Sequence, residues 1–425
     1  MMSSSLSPVR LRRRRFLLGC GGALTLATTG RARGREVIET GRRQPDLGSF
    51  DELMREVVGS LGVPGAALAV TRFGRLVYAR GFGLADREQG APVEPTSTFR
   101  IASLSKPITA AAVMQLIDRG ALDGRSRVLD VLNLPEPADA RWKQITTKQL
   151  LWHRGGWDRD ADFDPMFRSG EIARQMNAPP PTGADLVIRY MLERPLDFEP
   201  GSKYAYSNFG YCLLGRLIES VSGQTYEQYV RDQILAPLGV RRMRLGRSLA
   251  ADALPGEVRY YDAKNRTVPA VPGLAEGRVP WAYGGFSLEP MDAHGGWTAT
   301  APDLVRFASA FDDPRRSKIL SEEAIADMFA RPTGVDPGDA SYYGAGWQVR
   351  PTGPGKQNTW HNGLLTGSTS ALMVRRHDGL NWAVLLNTGR NAEGQEYAGI
   401  LDPRLHVAAD AVRRWPSYDL FDDLL

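Results

Sequence analysis

Ala66-Ala67-Leu68-Ala69-Val70-Thr71-Arg72-Phe73-Gly74-Arg75-Leu76-Val77-Tyr78-Ala79-Arg80-Gly81-Phe82 is two apolar runs around a short break that contains Gly. Runs of this length, split by such a break, predict a β-hairpin. Three further β-like runs lie near the other end of the chain, at Gly344–Arg350, Ser368–Arg375 and Trp382–Asn387. Between the two groups the spacing of apolar residues is mostly helical, with segments expected at Leu104–Arg119, Thr147–Trp152, Gly183–Glu193, Asn208–Ser220, Tyr226–Leu235, Pro302–Phe311 and Ser321–Phe329. Phe50–Leu61 and Arg404–Arg414 add one helix at each end, and 240–290 reads as irregular. One sheet made of the hairpin and the late strands brings the two ends together. Grouped rather than alternating elements predict an α+β fold, an antiparallel sheet flanked by helices with a mostly helical second lobe. The expected domain covers 49–415, its α/β part about 49–122 and 300–415 and its helical lobe about 123–299.

The chain has 425 residues, 42% hydrophobic and 24% charged, an ordinary globular composition. Its net charge of +5 suggests a polyanion partner until the charge is located. Residues 1–32 hold six Arg and no acid; the rest keeps 47 basic and 48 acidic residues, a net charge of −1. The body therefore has no global attraction for nucleic acid. Arg13-Arg14-Arg15-Phe16-Leu17, followed by a mild apolar run to Thr29, predicts a twin-arginine-like export signal over 1–32. A polar linker over 33–48 follows, and no stable membrane span is expected once the leader is removed. The expected destination is the periplasm or the cell exterior. Cys20 leaves with the leader, so Cys212 stays alone in an apolar helical pattern, read as a buried small hydrophobe. None of the five His sits at metal-ligand spacing to another, which argues against a metal site.

Ser103-Leu104-Ser105-Lys106 places a hydroxyl and an amine three residues apart, on one face of a helix start. A Ser hydroxyl needs an adjacent base to become a nucleophile. A Lys amine serves only when neutral, so burial or a neighbouring cation must lower its pKa. Pro107 falls in the first helical turn, where its missing N–H costs nothing.

Two later elements can complete such a site. Tyr206-Ser207-Asn208 stands where a loop enters an apolar helix; its phenol can relay protons if cations hold down its pKa, and its amide can meet a substrate carbonyl. His361-Asn362-Gly363-Leu364 offers a hydrogen-bonding imidazole, a Gly that permits close approach, and a backbone N–H after Gly363 for an oxyanion. Taken singly, each element also has a plain reading: a helix-face Lys, an aromatic turn with an N-cap, a His beside a turn.

Together, in this order, the three elements resemble the serine β-lactamase and penicillin-binding-protein superfamily, whose motif set runs Ser-x-x-Lys, a middle motif and Lys-Thr-Gly. The Tyr-x-Asn form looks like class C β-lactamases and their esterase and D-aminopeptidase relatives. Phe99 to Lys106, Gln149 to Gly156 and Gly295 to Leu304 are similar to further segments of that family. The resemblance implies Ser103 as nucleophile, Lys106 as its partner, Tyr206 as general base or proton relay, and Asn208 on the substrate. It implies an oxyanion hole from the N–H groups of Ser103 and Leu364, and no cofactor. Whether Lys106 or Tyr206 takes the Ser103 proton stays open. The third motif departs from Lys-Thr-Gly. With His361 and Asn362 there, a substrate carboxylate is held less firmly, and Gly363 and Leu364 complete the substrate side. The expected activity is that of an exported serine hydrolase, a carboxylesterase or D-aminopeptidase-like amidase. Its substrate would be a small ester or a peptide-like molecule of cell-wall type. The alternatives are a β-lactamase, a D,D-carboxypeptidase or a penicillin-binding sensor without turnover.

Overall fold

The computed structural model describes residues 36–424. The export signal expected over 1–32, and Cys20 with it, lie outside the described residues. From Val37 onward the chain forms a single compact unit.

The hairpin forms as β2 (Gly65–Arg72) and β3 (Arg75–Asp86), joined through Phe73 and Gly74. Both turn residues have positive φ, 49° and 76°, the conformation that two-residue hairpin turns require. A short β1 (Glu39–Thr40) pairs with β3, so part of the stretch read as a linker belongs to the sheet. The late strands are β4 (Tyr342–Tyr343), β5 (Gln348–Gly353), β6 (Lys356–Leu365), β7 (Thr369–Arg375) and β8 (Leu380–Leu386). The antiparallel order is β1-β3-β2-β8-β7-β6-β5-β4, with a ninth strand, Ala91–Pro92, on the far part of β3. The two ends of the chain meet where β2 pairs with β8, from Arg72 opposite Leu380 to Ala66 opposite Leu386.

The sheet is the middle layer. Successive residues of a strand point to opposite faces. Ala66, Leu68 and Val70 of β2 join Trp382, Val384 and Leu386 of β8 in one core, covered by α1 (Gly48–Gly59) and α5 (Tyr397–Asp410). Ala67 and Ala69 join Ala383 and Leu385 in the other, under α2 (Ser105–Asp118) and α4 (Ala301–Ser309). Both faces being buried explains why these strands read as continuous apolar runs. Helix α2 is buried from Ser105 to Leu116, because α3 (Asn208–Ser222) packs on its other side.

Two further differences from the sequence reading bear on the site and the core. The last helix starts at Tyr397 rather than Arg404, with Pro403 inside it. Pro403 removes the bond to the Gly399 carbonyl, yet the helix continues because Leu401 and Leu405 on either side are buried against the sheet. The other change is β6, which carries the third motif. Its buried positions alternate through Thr359, His361, Gly363 and Leu365, so the inward face is barely hydrophobic and period-2 apolarity cannot reveal it. Within 240–290, Arg244–Leu245 pairs with Trp297–Ala299, which in turn pairs with Phe99–Arg100 ahead of Ser103.

Candidate active site

The Ser103 segment is a tight turn fixed from several sides. Ile101 donates its N–H to the Trp297 carbonyl (2.9 Å), and Leu104 donates to the Ile101 carbonyl (3.1 Å). Ala102 sits at φ 48°, a conformation costly for a residue with a Cβ. The Ser105 hydroxyl steadies it by donating to the Ala102 carbonyl at 2.7 Å. The buried Arg100 guanidinium donates to the carbonyls of Ala282 (2.6 Å) and Arg247 (2.7 Å), tying the irregular 240–290 stretch to this turn. Gly363 of β6 lies directly behind it: a Cβ there would stand 2.3 Å from the Ile101 oxygen. The missing side chain of Gly363 thus faces the turn, whereas the sequence reading gave its space to a ligand.

Ser103, Lys106, Tyr206 and Asn208 come together. The Ser103 Oγ lies 3.1 Å from Lys106 Nζ and accepts from the Tyr206 hydroxyl at 2.8 Å. Lys106 Nζ also lies 2.7 Å from Asn208 Oδ1 and 2.9 Å from the His294 carbonyl. Those two acceptors take two N–H bonds, and the third direction points at Ser103. Burial drives the Lys106 pKa well below its ordinary value; the Arg159 guanidinium adds to the fall and Asp164 opposes it. Once neutral, Lys106 has its lone pair directed at the Ser103 hydroxyl. Burial moves Tyr206 the other way, upward, against the bond to Ser103 and the Arg159 charge, so its phenol keeps its proton. Cations do not hold the Tyr206 pKa down here, because desolvation outweighs them.

Asn208 opens α3, whose N-cap Ser207 accepts from Gly210. While its Oδ1 meets Lys106, its Nδ2 donates to Asp164 Oδ2 at 2.6 Å, so both ends of the amide are engaged. Burial raises the Asp164 pKa against that bond and against Arg159. Arg159 itself rests with its guanidinium carbon 4.6 Å from the Tyr206 ring centre. Neither residue is legible in the sequence, since Asp158 to Asp164 alternates acids and other residues as many solvated loops do.

His361 lies 2% exposed and lines the same cleft. Its Nδ1 is 2.6 Å from the Asn362 carbonyl and so must donate; its Nε2 then accepts from the Tyr343 hydroxyl at 2.9 Å. Burial lowers the His361 pKa to about 3. It is an uncharged imidazole at every ordinary pH. His153 packs against the site, its ring centre 4.3 Å from that of Tyr206, with Nδ1 accepting from the Ser207 N–H and a pKa also lowered by burial. Its φ of 55° falls within Gln149 to Gly156, one of the segments singled out in the sequence.

The cleft over Ser103 has a volume of about 840 Å³. Its walls come from 159–168, 204–208, 281–295 and 343–366, with Leu364 among them, and from Arg390 and Glu396. Phe167, Trp281, Phe286 and Leu365 make one part apolar. Among the described residues, no group of three or more His, Cys, Asp or Glu is placed to hold a metal ion, and no helix is long and apolar enough to cross a membrane.

A family model described as Beta-lactamase matches residues 50–403. The chain is 30% identical over 335 residues to penicillin-binding protein 4 of Amycolatopsis lactamdurans, covering 77% of this chain and 81% of that one. It is 34% identical over 245 residues to esterase EstB of Burkholderia gladioli, covering 55% and 58%. The matched stretch is likewise only 58% of the length of a fimbrial assembly protein FimD of Dichelobacter nodosus. The structure of D-amino acid amidase from Ochrobactrum anthropi SV3, with L-phenylalanine amide, shares the fold at a TM-score of 0.67 and 22% identity, covering 87% of this chain and 99% of that one.

Proposed function

From the chain's membership of the beta-lactamase family, which makes it a serine hydrolase, we propose that it is an exported carboxylesterase or D-aminopeptidase-like amidase working through an acyl-enzyme on Ser103. The observation that carries the reading is the Ser103 hydroxyl held between Lys106 Nζ at 3.1 Å and the Tyr206 phenol at 2.8 Å.

In this reading Lys106, kept neutral by burial, takes the Ser103 proton as Oγ attacks the substrate carbonyl. The oxyanion forms against the N–H groups of Ser103 and Leu364, at the positive end of the turn that leads into α2. Tyr206, protonated at rest, gives its proton to the leaving alkoxide or amine, and the proton that Lys106 took from Ser103 passes to the Tyr206 phenolate. Water then attacks the ester carbonyl, its proton passes by way of Tyr206 to Lys106, and Lys106 returns a proton to Ser103 Oγ as the acid departs. Asn208 fixes the direction of the Lys106 lone pair and reaches substrate at the cleft wall. The division into an α/β part and a helical lobe suits a site built from 102–106 and 361–365 on one side and 159–208 and 281–295 on the other.

The uncharged His361 supports ester and amide substrates over β-lactams, because the third motif supplies no cation for a carboxylate. Esterase EstB and D-amino acid amidase stand on that side of the family. Penicillin-binding protein 4, matched over most of its length, favours a second reading as a penicillin-binding carboxypeptidase. Export rests on Arg13-Arg14-Arg15-Phe16-Leu17.

Turnover of 4-nitrophenyl acetate, a D-phenylalanine amide and a chromogenic cephalosporin by wild type and Ser103→Ala decides between them. The account expects ester or amide turnover well above cephalosporin turnover, abolished in Ser103→Ala. Faster cephalosporin turnover would favour the second reading, and undiminished turnover by Ser103→Ala would sink both.

A further inference from the structure

Three arginines line the catalytic cleft, and each already faces an acid. Arg159 lies 3.7 Å from Asp164 and 3.8 Å from Asp160, and Arg168 lies 3.5 Å from Glu171. Arg390 is the one beside the third motif. It comes from the loop after β8, where Arg390 and Glu396 form an isolated antiparallel bridge. Its Nη2 lies 2.6 Å from Glu396 Oε1, and its Nη1 donates to the Gly394 carbonyl at 2.9 Å. The loop is closed again inside that pair: Asn391 Nδ2 donates to Gln395 Oε1 at 2.9 Å, and the Gln395 N–H donates to Asn391 Oδ1 at 2.8 Å. Gly394, at φ 87°, makes the turn. The other Glu396 oxygen, Oε2, lies 3.5 Å from Nδ2 of Asn362. Both charged side chains are about one-third exposed, 35% and 36%, so solvent and substrate reach them.

We infer that Glu396 masks Arg390 and so sets the charge class of the substrate: the cleft admits uncharged groups beside Asn362 and discriminates against carboxylates there. The inference rests on the hydrolase reading above and deepens it. A free guanidinium in a cleft attracts anions and offers a two-pronged carboxylate site. With Glu396 in place that fork is filled, and an incoming carboxylate must either displace Glu396 or sit against it. Discrimination of this kind works through the repulsive partner as much as through the attractive one. The loop's own bonds hold the pair in register without substrate, so the mask is present before binding. Asn362, shared with Glu396, links the mask to the motif that in this chain carries no cation of its own.

The test compares paired neutral and anionic substrates on the full chain: 4-nitrophenyl butyrate against mono-4-nitrophenyl succinate for the acyl side, and 4-acetoxybenzamide against 4-acetoxybenzoate for the leaving-group side. The quantity read is the anionic-to-neutral ratio of kcat/KM for wild type, Glu396→Gln, Arg390→Gln and the double variant. Glu396→Gln keeps the side-chain shape and removes the charge, which should raise the ratio at least fivefold for one pair. The double variant should return it to within twofold of wild type, because the unmasked cation is gone. A rise below threefold in both pairs, or a rise that survives in the double variant, overturns the mask. No hydrolysis of any neutral ester by wild type would instead overturn the hydrolase reading beneath it.

Discussion

Replacing Gly363 by Ala tests how closely the proposed nucleophile, Ser103, depends on the strand behind it. The new Cβ would stand 2.3 Å from the Ile101 oxygen and 3.3 Å from Ala102 Cβ. Ordinary contact begins near 3.4 Å, so strand and turn must separate by 3.4 less 2.3, or 1.1 Å. Neither side yields easily. The Ile101 carbonyl accepts the Leu104 N–H that closes the Ser103 turn, and Gly363 is held in register opposite Ala371 of β7. Overpacking of this sort costs about 1–3 kcal/mol of stability, which a domain with so large a core survives. The catalytic cost is larger, because a misplacement of about 1 Å in a reacting group can lose roughly 100-fold in rate. The expected variant is folded, with a melting temperature lower by a few degrees, and its kcat/KM for 4-nitrophenyl acetate is down roughly 100-fold. Circular dichroism and a thermal melt run beside the kinetics separate the two effects. Activity within twofold of wild type would refute the close packing of β6 on the Ser103 turn.

Three further outcomes follow from the buried groups. His361 stays neutral in the folded chain down to about pH 3 but takes up a proton near 6.5 when unfolded, so its share of stability is present above 6.5 and is lost as pH falls towards 3. That share is on the order of 5 kcal/mol across the whole window, and His361→Gln should flatten the fall in urea-unfolding free energy between pH 6.5 and 4; an unchanged slope contradicts it. Arg159 helps to lower the Lys106 pKa, so in Arg159→Gln the acid limb of the kcat/KM profile moves to higher pH, whereas a limb that stays put or moves down would count against the proximity argument. Cys212 is buried, with its thiol pushed up to about 12; iodoacetamide at pH 8 should leave it unmodified in the native protein and alkylate it in urea, and native labelling within minutes would contradict the packing.

What the sequence discloses follows from where the chemistry is local. The hairpin is legible because both faces of β2 are buried and its turn needs only Phe73 and Gly74. Ser103 and Lys106 are legible because they lie one helical turn apart, and Ser207-Asn208 because an N-cap marks a helix start. Strand β6 is hidden because its inward positions hold Thr, His and Gly, chosen for the site and the turn rather than for hydrophobicity. Arg159 and Asp164 are hidden for a different reason: their partners, Tyr206 and Asn208, are some 45 residues away, and no local period encodes that meeting. The direction of the Tyr206 shift was equally out of reach, because it depends on how completely His153, Tyr343 and His361 wrap the ring.

The central claim is that Ser103 is the nucleophile. The most direct measurement treats the full chain with a fluorophosphonate, follows ester turnover, and maps the modified peptide by mass spectrometry. The account predicts that activity falls in step with one phosphonyl group on Ser103, and that Ser103→Ala takes up none. Inactivation with Ser103 unmodified, or a stoichiometric label on another residue, would contradict it.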